Sequence, residues 1–193
     1  NGKKILLLGE SGTGKSTLLN IISGIIKPIS GSILVKGSNI LLLDNNERDF
    51  FRASNLGVIF QQFNLIEYMS PITNILLPCY FTLFKDNEYG YYYNRALELA
   101  EKLGIEKEIL IKSKSSNLSV GQKQRISIIR SIINNPKLIL ADEPTSALDS
   151  KNKKKFLNIL FNMCKDEDIT LLFVSHDTTL KKYFDDFINL EKI

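Results

Sequence analysis

Hydrophobic positions in this chain form short continuous runs, separated by longer segments in which apolar residues recur every three or four positions. Short apolar runs bounded by polar or glycine-rich turns are typical of buried strands. Strands are therefore predicted at Lys4–Leu8, Ile33–Val35, Leu56–Phe60, Leu138–Ala141 and Thr170–Val174.

Helices are predicted between these strands. Apolar residues recur at helical spacing over Leu18–Ile25, where Gly24 weakens the pattern and Pro28 ends it. The clearest amphipathic segment is Arg95–Leu103, and further helices are predicted at Val120–Asn134 and between the last two strands. Strands that alternate with helices predict an α/β fold in three layers, with a mainly parallel sheet between two layers of helices.

One segment interrupts this alternation, because residues 64–134 have a helical pattern and no strand. We therefore expect a single domain over 1–193, in which 1–63 and 135–193 form the core and 64–134 is an inserted helical subdomain. Aromatic residues are concentrated in the insert, and packing in the core is expected for most of them; they are Phe81, Phe84, Tyr89, Tyr91, Tyr92 and Tyr93. A groove between the insert and the strand that ends at Phe60 is the place where we expect a partner to dock.

Composition narrows the possible classes of protein. A hydrophobic fraction of 44% is ample for a buried core, and a formal charge of +4 is too small to indicate nucleic-acid binding by itself. Cys79 and Cys164 have no metal-ligand spacing, so a reducing cytoplasm is expected. The basic run Lys151–Lys155 is interpreted as a solvated helix face rather than a phosphate site. No apolar run reaches the ~18 residues of a membrane span. If the protein works at a membrane, another chain would therefore have to cross the membrane.

The turn after the first strand matches the phosphate-loop pattern G-x-x-x-x-G-K-[ST]. Its glycines allow the backbone N–H groups to converge on phosphate oxygens, and the helix that follows directs its positive end at the same anion. Lys15 can reach the β- and γ-phosphates, and the Ser16 hydroxyl can bind Mg²⁺. The dinucleotide pattern G-x-G-x-x-G does not fit, because its third glycine falls on Thr17. The predicted nucleotide-binding residues of this loop are Gly9, Glu10, Ser11, Gly12, Thr13, Gly14, Lys15, Ser16 and Thr17.

Two carboxylates, Asp142 and Glu143, follow the apolar strand Leu138–Ala141. The carboxyl ends of strands are where α/β sheets place ligand sites. Asp142 is predicted to hold Mg²⁺ and Glu143 to act as the general base toward the attacking water.

A further helix is introduced by Leu118, Ser119, Val120, Gly121 and Gln122, with Ser119 and Gln122 at the capping-box spacing S-x-x-Q. A well-capped helix alone would account for the spacing. Together with the phosphate loop and the acidic pair, however, this stretch resembles the LSGGQ signature of ABC ATPases, here LSVGQ.

Three more stretches resemble motifs of that family. Gln61 resembles the Q-loop, Ser146–Asp149 the D-loop and His176, the only histidine, the switch histidine. The order of the six motifs is also that of the family, and the resemblance covers essentially the whole chain. Val120 departs from the first signature glycine, but a negative φ is expected at a first helical position, where valine is tolerated.

The resemblance implies an ATPase that works as a head-to-tail dimer, with ATP and Mg²⁺ held between two chains. Catalytic roles are implied for Glu143, His176, Gln61 and Lys15. Metal binding is implied for Ser16, Gln61 and Asp142, and nucleotide binding for Gln61 and, from the opposite chain, Ser119, Gly121 and Gln122. The family also carries upstream strands and an aromatic residue that stacks on adenine. The chain begins only a few residues before the phosphate loop, so a truncated N-terminus and similar affinities for ATP and GTP are expected.

The implied partners are a second ATPase domain and a transmembrane permease, which would hold the chain at the cytoplasmic face of the membrane; no nucleic acid is expected. The stretches Gln61–Ile66 and Asn74–Pro78 resemble the lipoprotein-release and macrolide- or peptide-export branch. A nutrient importer is the nearest alternative. Two other classes stay open: a soluble ABC ATPase that acts on nucleic acid or ribosomes, and a nucleotide-gated coupler without transport. Glu143 argues against an inert coupler, which would not need a base.

Overall fold

The computed structural model of the chain describes residues 2–10, 12–35, 37–82 and 88–190. In these ranges the secondary structure, in chain order, is β1 Lys4–Leu8, α1 Lys15–Ile22, β2 Leu34–Val35, β3 Ser38–Asn39, α2 Asn45–Asn55, β4 Leu56–Ile59, α3 Pro71–Tyr80, α4 Tyr89–Lys102, α5 Lys107–Lys112, α6 Val120–Ile132, β5 Leu138–Asp142, α7 Ser150–Asp166, β6 Thr170–Ser175 and β7 Asp186–Asn189. Short 3₁₀ turns lie at Ile40–Leu42, Ser115–Asn117 and Thr178–Tyr183.

The central sheet has five strands in the order β4-β5-β6-β1-β7, and every neighbouring pair in it is parallel. Side chains on its strands point alternately to two faces. Leu7, Leu140 and Val174 form a buried cluster on the face against which Leu19 of α1 packs. The opposite face buries Leu6, Ile139 and Phe173 together with side chains of α6 and α7. The chain therefore has the predicted α/β fold, in which helices cover both faces of a parallel sheet.

The parallel register sets where the functional segments emerge. β1 lies between β6 and β7, with Leu8 paired with Ser175, and β5 is paired with β6 so that Asp142 lies opposite Val174. The loops that leave the carboxyl ends of β1, β5 and β6 thus start side by side at one edge of the sheet.

Two predicted elements are placed differently in the structure. α1 ends at Ile22 rather than continuing to Ile25, because Gly24 adopts a left-handed conformation with φ 70° that stops the helix before Pro28. The strand predicted at Ile33–Val35 is shortened to Leu34–Val35, and it pairs antiparallel with β3 in a separate two-stranded sheet.

Two elements have no counterpart in the sequence-based prediction. α2 is a polar helix with no fully buried residue, and it begins with a capping box between Asp44 and Glu47. β7 is a short edge strand, where the side chains of Phe187 and Ile188 are exposed. Neither element buries an apolar face fully, so neither has the continuous or strongly apolar pattern from which the other strands and helices are predicted.

The connection from β4 to β5 contains α3, α4, α5 and α6. α6 returns along the sheet and crosses β4 closely, since a Cβ atom on Gly57 would lie 2.1 Å from the Ser131 carbonyl oxygen. The division of 1–193 into a core and an insert at 64–134 stays a prediction. None of the helices in the described ranges is long and apolar enough to cross a membrane.

Candidate nucleotide site

The loop between β1 and α1 wraps around the ammonium group of Lys15. This side chain is 5% exposed, and its Nζ donates hydrogen bonds to the carbonyl oxygens of Gly9 at 2.8 Å and Glu10 at 2.6 Å. Gly12 and Gly14 have φ values of 88° and 89°, which are accessible to glycine at little cost. The loop therefore has the tight glycine-dependent turn that the sequence predicts, and Ser11 of this loop lies outside the described residues.

The start of α1 is open to an anion. Its N-cap, Gly14, supplies no side-chain hydrogen bond, and its first turn has no acidic residue. α4 and α5 also lack a side-chain cap, whereas α2, α3, α6 and α7 are capped by Asp44, Ser70, Ser119 and Asp149 respectively. Backbone N–H groups at the start of α1 are thus left for another acceptor. Ser16 and Thr17 are exposed in this first turn.

Glu143 joins the phosphate loop to the end of β6. One of its carboxylate oxygens lies 3.5 Å from Lys15 Nζ, and the other lies 3.0 Å from Nδ1 of His176. Its backbone has the left-handed φ of 42°, and its N–H donates to the Val174 carbonyl oxygen. The structure therefore brings together Lys15, Glu143 and His176. Asp142 precedes them at the end of β5 and is partly buried.

Gln61 reaches toward the same edge from β4. Its side-chain amide donates a hydrogen bond of 3.0 Å to the Ser146 hydroxyl, in the turn that follows Glu143. Asp149, at the end of this turn, caps α7 by accepting from the N–H groups of Lys151 and Asn152.

The predicted signature stretch begins α6 with the capping box expected from its sequence. The Ser119 hydroxyl accepts from the Gln122 N–H at 3.3 Å, and the Gln122 side chain accepts from the Ser119 N–H at 2.9 Å. Val120 is helical and has no positive φ, as predicted. Val120 is 59% exposed, and a Cβ atom on Gly121 would meet no atom within 4 Å.

The structure does not join this helix start to the phosphate loop of the same chain. No hydrogen bond or ion pair between described residues links Ser119, Gly121 or Gln122 to the loop or to Glu143. A helix start that faces solvent is the arrangement expected of residues that would complete a site in another copy.

Several contacts around the site were not predicted from the sequence. Lys153, which the sequence placed on a solvated helix face, forms a 2.5 Å ion pair with Asp177, next to His176. Arg130 and Asn74 bind the main chain after Gln61. Their partners are distant in sequence, so no local pattern indicates these contacts.

An open helix start behind a glycine turn, with a lysine and a carboxylate at the ends of neighbouring parallel strands, defines a P-loop nucleotide-binding protein. A family model described as "ABC transporter" matches residues 1–146. The chain belongs to this family, as one of its ATP-binding domains.

Individual relatives agree with this assignment. The ABC transporter ATP-binding protein YxdL of Bacillus subtilis is 41% identical over 182 residues, which are 94% of this chain and 69% of YxdL. The lipoprotein-releasing system ATP-binding protein LolD of Wigglesworthia glossinidia brevipalpis is 35% identical over 191 residues, 99% of this chain and 81% of LolD. The macrolide export ATP-binding/permease protein MacB of Bdellovibrio bacteriovorus is 40% identical over 91% of this chain, which spans only 26% of MacB.

Solved structures agree as well. The chain is 36% identical to the ATP-binding cassette MJ0796 of Methanocaldococcus jannaschii in a dimeric post-hydrolysis state with ADP and Pi, with a TM-score of 0.83 over 97% of this chain and 81% of that one. A second dimeric structure of MJ0796 also gives a TM-score of 0.83, at 35% identity. The chain is thus an ATP-binding and ATP-hydrolysing subunit of the ABC transporter family.

Proposed function

We propose that the chain is the motor of an exporter, in which two copies hold ATP between the phosphate loop of one and the start of α6 of the other. The observation that carries this proposal is the split arrangement of the site. Lys15, Glu143 and His176 converge at one edge of the sheet, whereas Ser119 is exposed and a Cβ atom on the partly exposed Gly121 would meet no atom within 4 Å.

Each residue of the converging group has a role suited to its position. Lys15 would exchange its bonds to loop carbonyl oxygens for bonds to the β- and γ-phosphates, beside the uncapped start of α1. Glu143 would accept the proton of the attacking water. His176, 3.0 Å from Glu143, would hold the carboxylate in place and contact the γ-phosphate.

The residues present fit a bound Mg²⁺ ion. Hydroxyl, amide and carboxylate oxygens are ligands that Mg²⁺ prefers, and these are supplied by Ser16, Gln61 and Asp142. The ion would neutralise charge on the phosphates of ATP. Ser16 is exposed beside the uncapped helix start, and Gln61 is exposed beside the turn after Glu143, so both can reach a ligand from solvent.

The proposed base is tested by Glu143→Gln, which keeps the size of the side chain but cannot accept a proton. ATP turnover should fall by ~10²–10⁴-fold. Nucleotide binding should persist, because Lys15 and Ser16 are unchanged. Since hydrolysis would reopen the pair, the variant should accumulate as an ATP-bound dimer in size-exclusion chromatography with ATP and Mg²⁺. A monomeric variant that turns over ATP at the wild-type rate would remove Glu143 from the mechanism.

The proposed docking place of the permease is a groove of about 380 Å³ between α2 and β4 on one side and α3 and α6 on the other. Leu77, Pro78 and Phe81 line one wall, and Arg52 and Asp49 lie on the other. Phe81 is 60% exposed, and Tyr89 and Tyr91 nearby along the chain are exposed too. Of the other aromatic residues for which packing in the core is expected, Tyr92 and Tyr93 pack against it, and Phe84 lies outside the described residues. Exposed aromatic side chains beside charged groups favour a protein partner over bulk solvent.

An exporter is favoured over an importer by the relatives. LolD is a component of a lipoprotein-releasing system and MacB of a macrolide exporter, and both match almost the whole chain. The chain itself has no described helix able to span a membrane. We therefore place it at the cytoplasmic face, held there by a permease.

Photo-cross-linking in cells tests the partner. A cross-linker at Phe81, or at Tyr68 in the loop after Gln61, should capture an integral membrane protein. The matched control is a cross-linker at Phe187, which is 50% exposed on β7 and does not line the groove. Capture of a ribosomal protein or DNA from Phe81 would instead favour the soluble class of ABC ATPase.

A further inference from the structure

The main chain just after Gln61 is held in an unfavourable conformation. Phe63 and Asn64 are consecutive residues with positive φ, 61° and 44°. A bulky L-residue such as phenylalanine rarely adopts this region, because its Cβ atom crowds the backbone. Two short turns, from Phe63 N–H to Phe60 O and from Asn64 N–H to Gln62 O, shape the segment. Conformations of this kind persist when surrounding groups hold them, and they cluster at functional sites.

Arg130 is the side chain that holds this segment. Its guanidinium donates one hydrogen bond to the Asn64 carbonyl oxygen at 2.7 Å and another to the Phe63 carbonyl oxygen. Burial lowers the pKa of Arg130 to about 10, and no carboxylate of the described chain forms an ion pair with it. The planar guanidinium binds both carbonyl groups at once, which a lysine ammonium cannot reproduce in the same geometry.

Arg130 belongs to α6, the helix that begins with the signature stretch. The segment that follows Gln61 is therefore tied by a side chain to the same rigid element that presents Ser119 and Gly121 to solvent. Arg130 also lines the groove between α2, β4, α3 and α6. Arg130 is thus part of the signature helix, lines the groove and binds the segment after Gln61.

A second side chain ties the next part of this segment to the residues just before the signature. Asn74 on α3 is fully buried and pairs with both main-chain groups of Ile66, accepting from its N–H at 2.7 Å and donating to its carbonyl oxygen at 3.0 Å. The same amide donates to the hydroxyl of the buried Ser115 at 3.0 Å. Main-chain bonds from Ser115 to Met69 and from Ser116 to Glu67 complete the connection.

We propose that Arg130 and Asn74 are positioning residues, of which Arg130 fastens Phe63 and Asn64 to the signature helix and Asn74 fastens Ile66 to the residues just before that helix. Arg130 thereby holds Gln61 in place at the nucleotide. The proposal rests on the proposed role of Gln61 as a ligand in the nucleotide site. Gln61 lies two residues before the segment that Arg130 holds, and its amide reaches Ser146 in the turn after Glu143. The contact of Gln61 with the site therefore depends on where α6 and α3 keep the following residues.

The chain offers a matched control for a merely structural arginine. Arg95 on α4 also binds the main chain of the α6 region, through the Ile133 carbonyl oxygen at 3.2 Å, and it forms a 2.8 Å ion pair with Glu167. None of the hydrogen bonds of Arg95 between described residues goes to the segment after Gln61, since its partners are Ile132, Ile133, Asn135 and Glu167. Loss of packing at either arginine lowers stability, but only Arg130 is placed to affect Gln61.

The experiment compares steady-state ATP hydrolysis by Arg130→Lys, Arg130→Met and Arg95→Lys. Displacement of a ligand by about 1 Å costs up to ~10²-fold in rate, so both Arg130 variants should lose about 10- to 100-fold in kcat. Their affinity for ADP should stay within about threefold of wild type, because the phosphate loop is untouched. Arg95→Lys should lower the melting temperature and leave kcat near wild type. Arg130→Met removes the buried charge and so serves if Arg130→Lys does not fold.

A double-mutant cycle with Gln61→Ala shows whether Arg130 acts through Gln61. If it does, Arg130→Lys should cause little further loss of kcat in the Gln61→Ala background. The proposal would be overturned if the loss of kcat in the double variant equalled the product of the two single losses. An Arg130→Lys enzyme with wild-type kcat would overturn it as well. So would a Gln61→Ala enzyme with wild-type kcat, because Arg130 would then have no ligand to position. These outcomes are distinct from failure of the proposed function, which is decided by Glu143→Gln in the unaltered background.

Discussion

Single residues at this site are held by contacts that differ in kind. Glu143 has a left-handed backbone that costs roughly 1–3 kcal/mol for a residue other than glycine. Its N–H bond to Val174 and its side-chain contacts with Lys15 and His176 stabilise this conformation. The carboxylate lies beside the phosphate loop, within 3.5 Å of Lys15 Nζ, so the cost falls on the residue that we propose as the general base.

The position of His176 depends on its neighbour Asp177. The Asp177 carboxylate accepts from Lys153 of α7 at 2.5 Å and from the N–H and hydroxyl of Thr179. These bonds, the one from Lys153 first, lower the pKa of Asp177 from 3.8 to about 2. Asp177 therefore fixes the chain direction just after His176, by tying it to the helix that follows the D-loop.

This depressed pKa predicts an acid-dependent loss of stability. The ionised form is favoured by folding, so the contribution is complete above pH 3.8 and is lost as the pH falls toward 2. Allowing for solvent screening, it amounts to about 1 kcal/mol. Asp177→Asn should therefore be less stable than wild type at pH 5, and the difference should shrink by pH 2. Urea unfolding across this range measures it, and a difference that does not change with pH would contradict the assignment.

At the scale of elements, the close crossing of α6 over β4 sets the geometry of the helical connection. A side chain at Gly57 would collide with the Ser131 carbonyl oxygen, since the Cβ atom would lie 2.1 Å away. Gly57→Ala should therefore push α6 from the sheet and destabilise the fold by roughly 1–3 kcal/mol. Thermal unfolding measures this change. In Gly90→Ala the new methyl group meets no atom within 4 Å, so that control should be neutral or slightly stabilising; equal losses in both would contradict the contact.

The elements also show which parts of the structure could be predicted from the sequence. The loop at Gly9–Thr17 and the cap at Ser119 could be predicted, because their chemistry requires particular residues at fixed spacing within a short stretch of sequence. α2 is not predicted although Asp44 and Glu47 form a capping box, because most of its residues are polar and none is fully buried. β7 is specified by pairing with β1 far away in sequence. The contacts of Arg130 and Asn74 were unpredictable for the same reason.

At the scale of the whole molecule, the order of strands explains why distant motifs meet. β6 lies between β5 and β1, so the loops after all three open at one edge although more than a hundred residues separate the phosphate loop from Glu143 in the printed sequence. The signature helix starts within the other connection, between β4 and β5, and no hydrogen bond or ion pair between described residues joins its first turn to this group. Under the proposed function, one chain thus has two halves of a site that it does not join.

The exposed start of α6 has a consequence for mixtures of defective chains. A Glu143→Gln chain lacks the base but keeps its signature turn, and a Ser119→Arg chain keeps the base but carries a bulky cation at that turn. A mixed pair therefore contains one site with both halves intact, although neither chain works alone. Under random pairing about a quarter of all sites should recover, which ATPase assays of the mixture would detect.

The control places both substitutions in the same chain. A chain that carries both Glu143→Gln and Ser119→Arg, paired with a wild-type chain, has one defect in each of the two sites. Such pairs should not hydrolyse ATP, so the double variant should inhibit the wild-type enzyme when it is added in excess. Rescue in the first mixture and inhibition in the second together would mean that a single folded chain is half of the catalyst, because each active site needs the signature turn of the neighbouring chain.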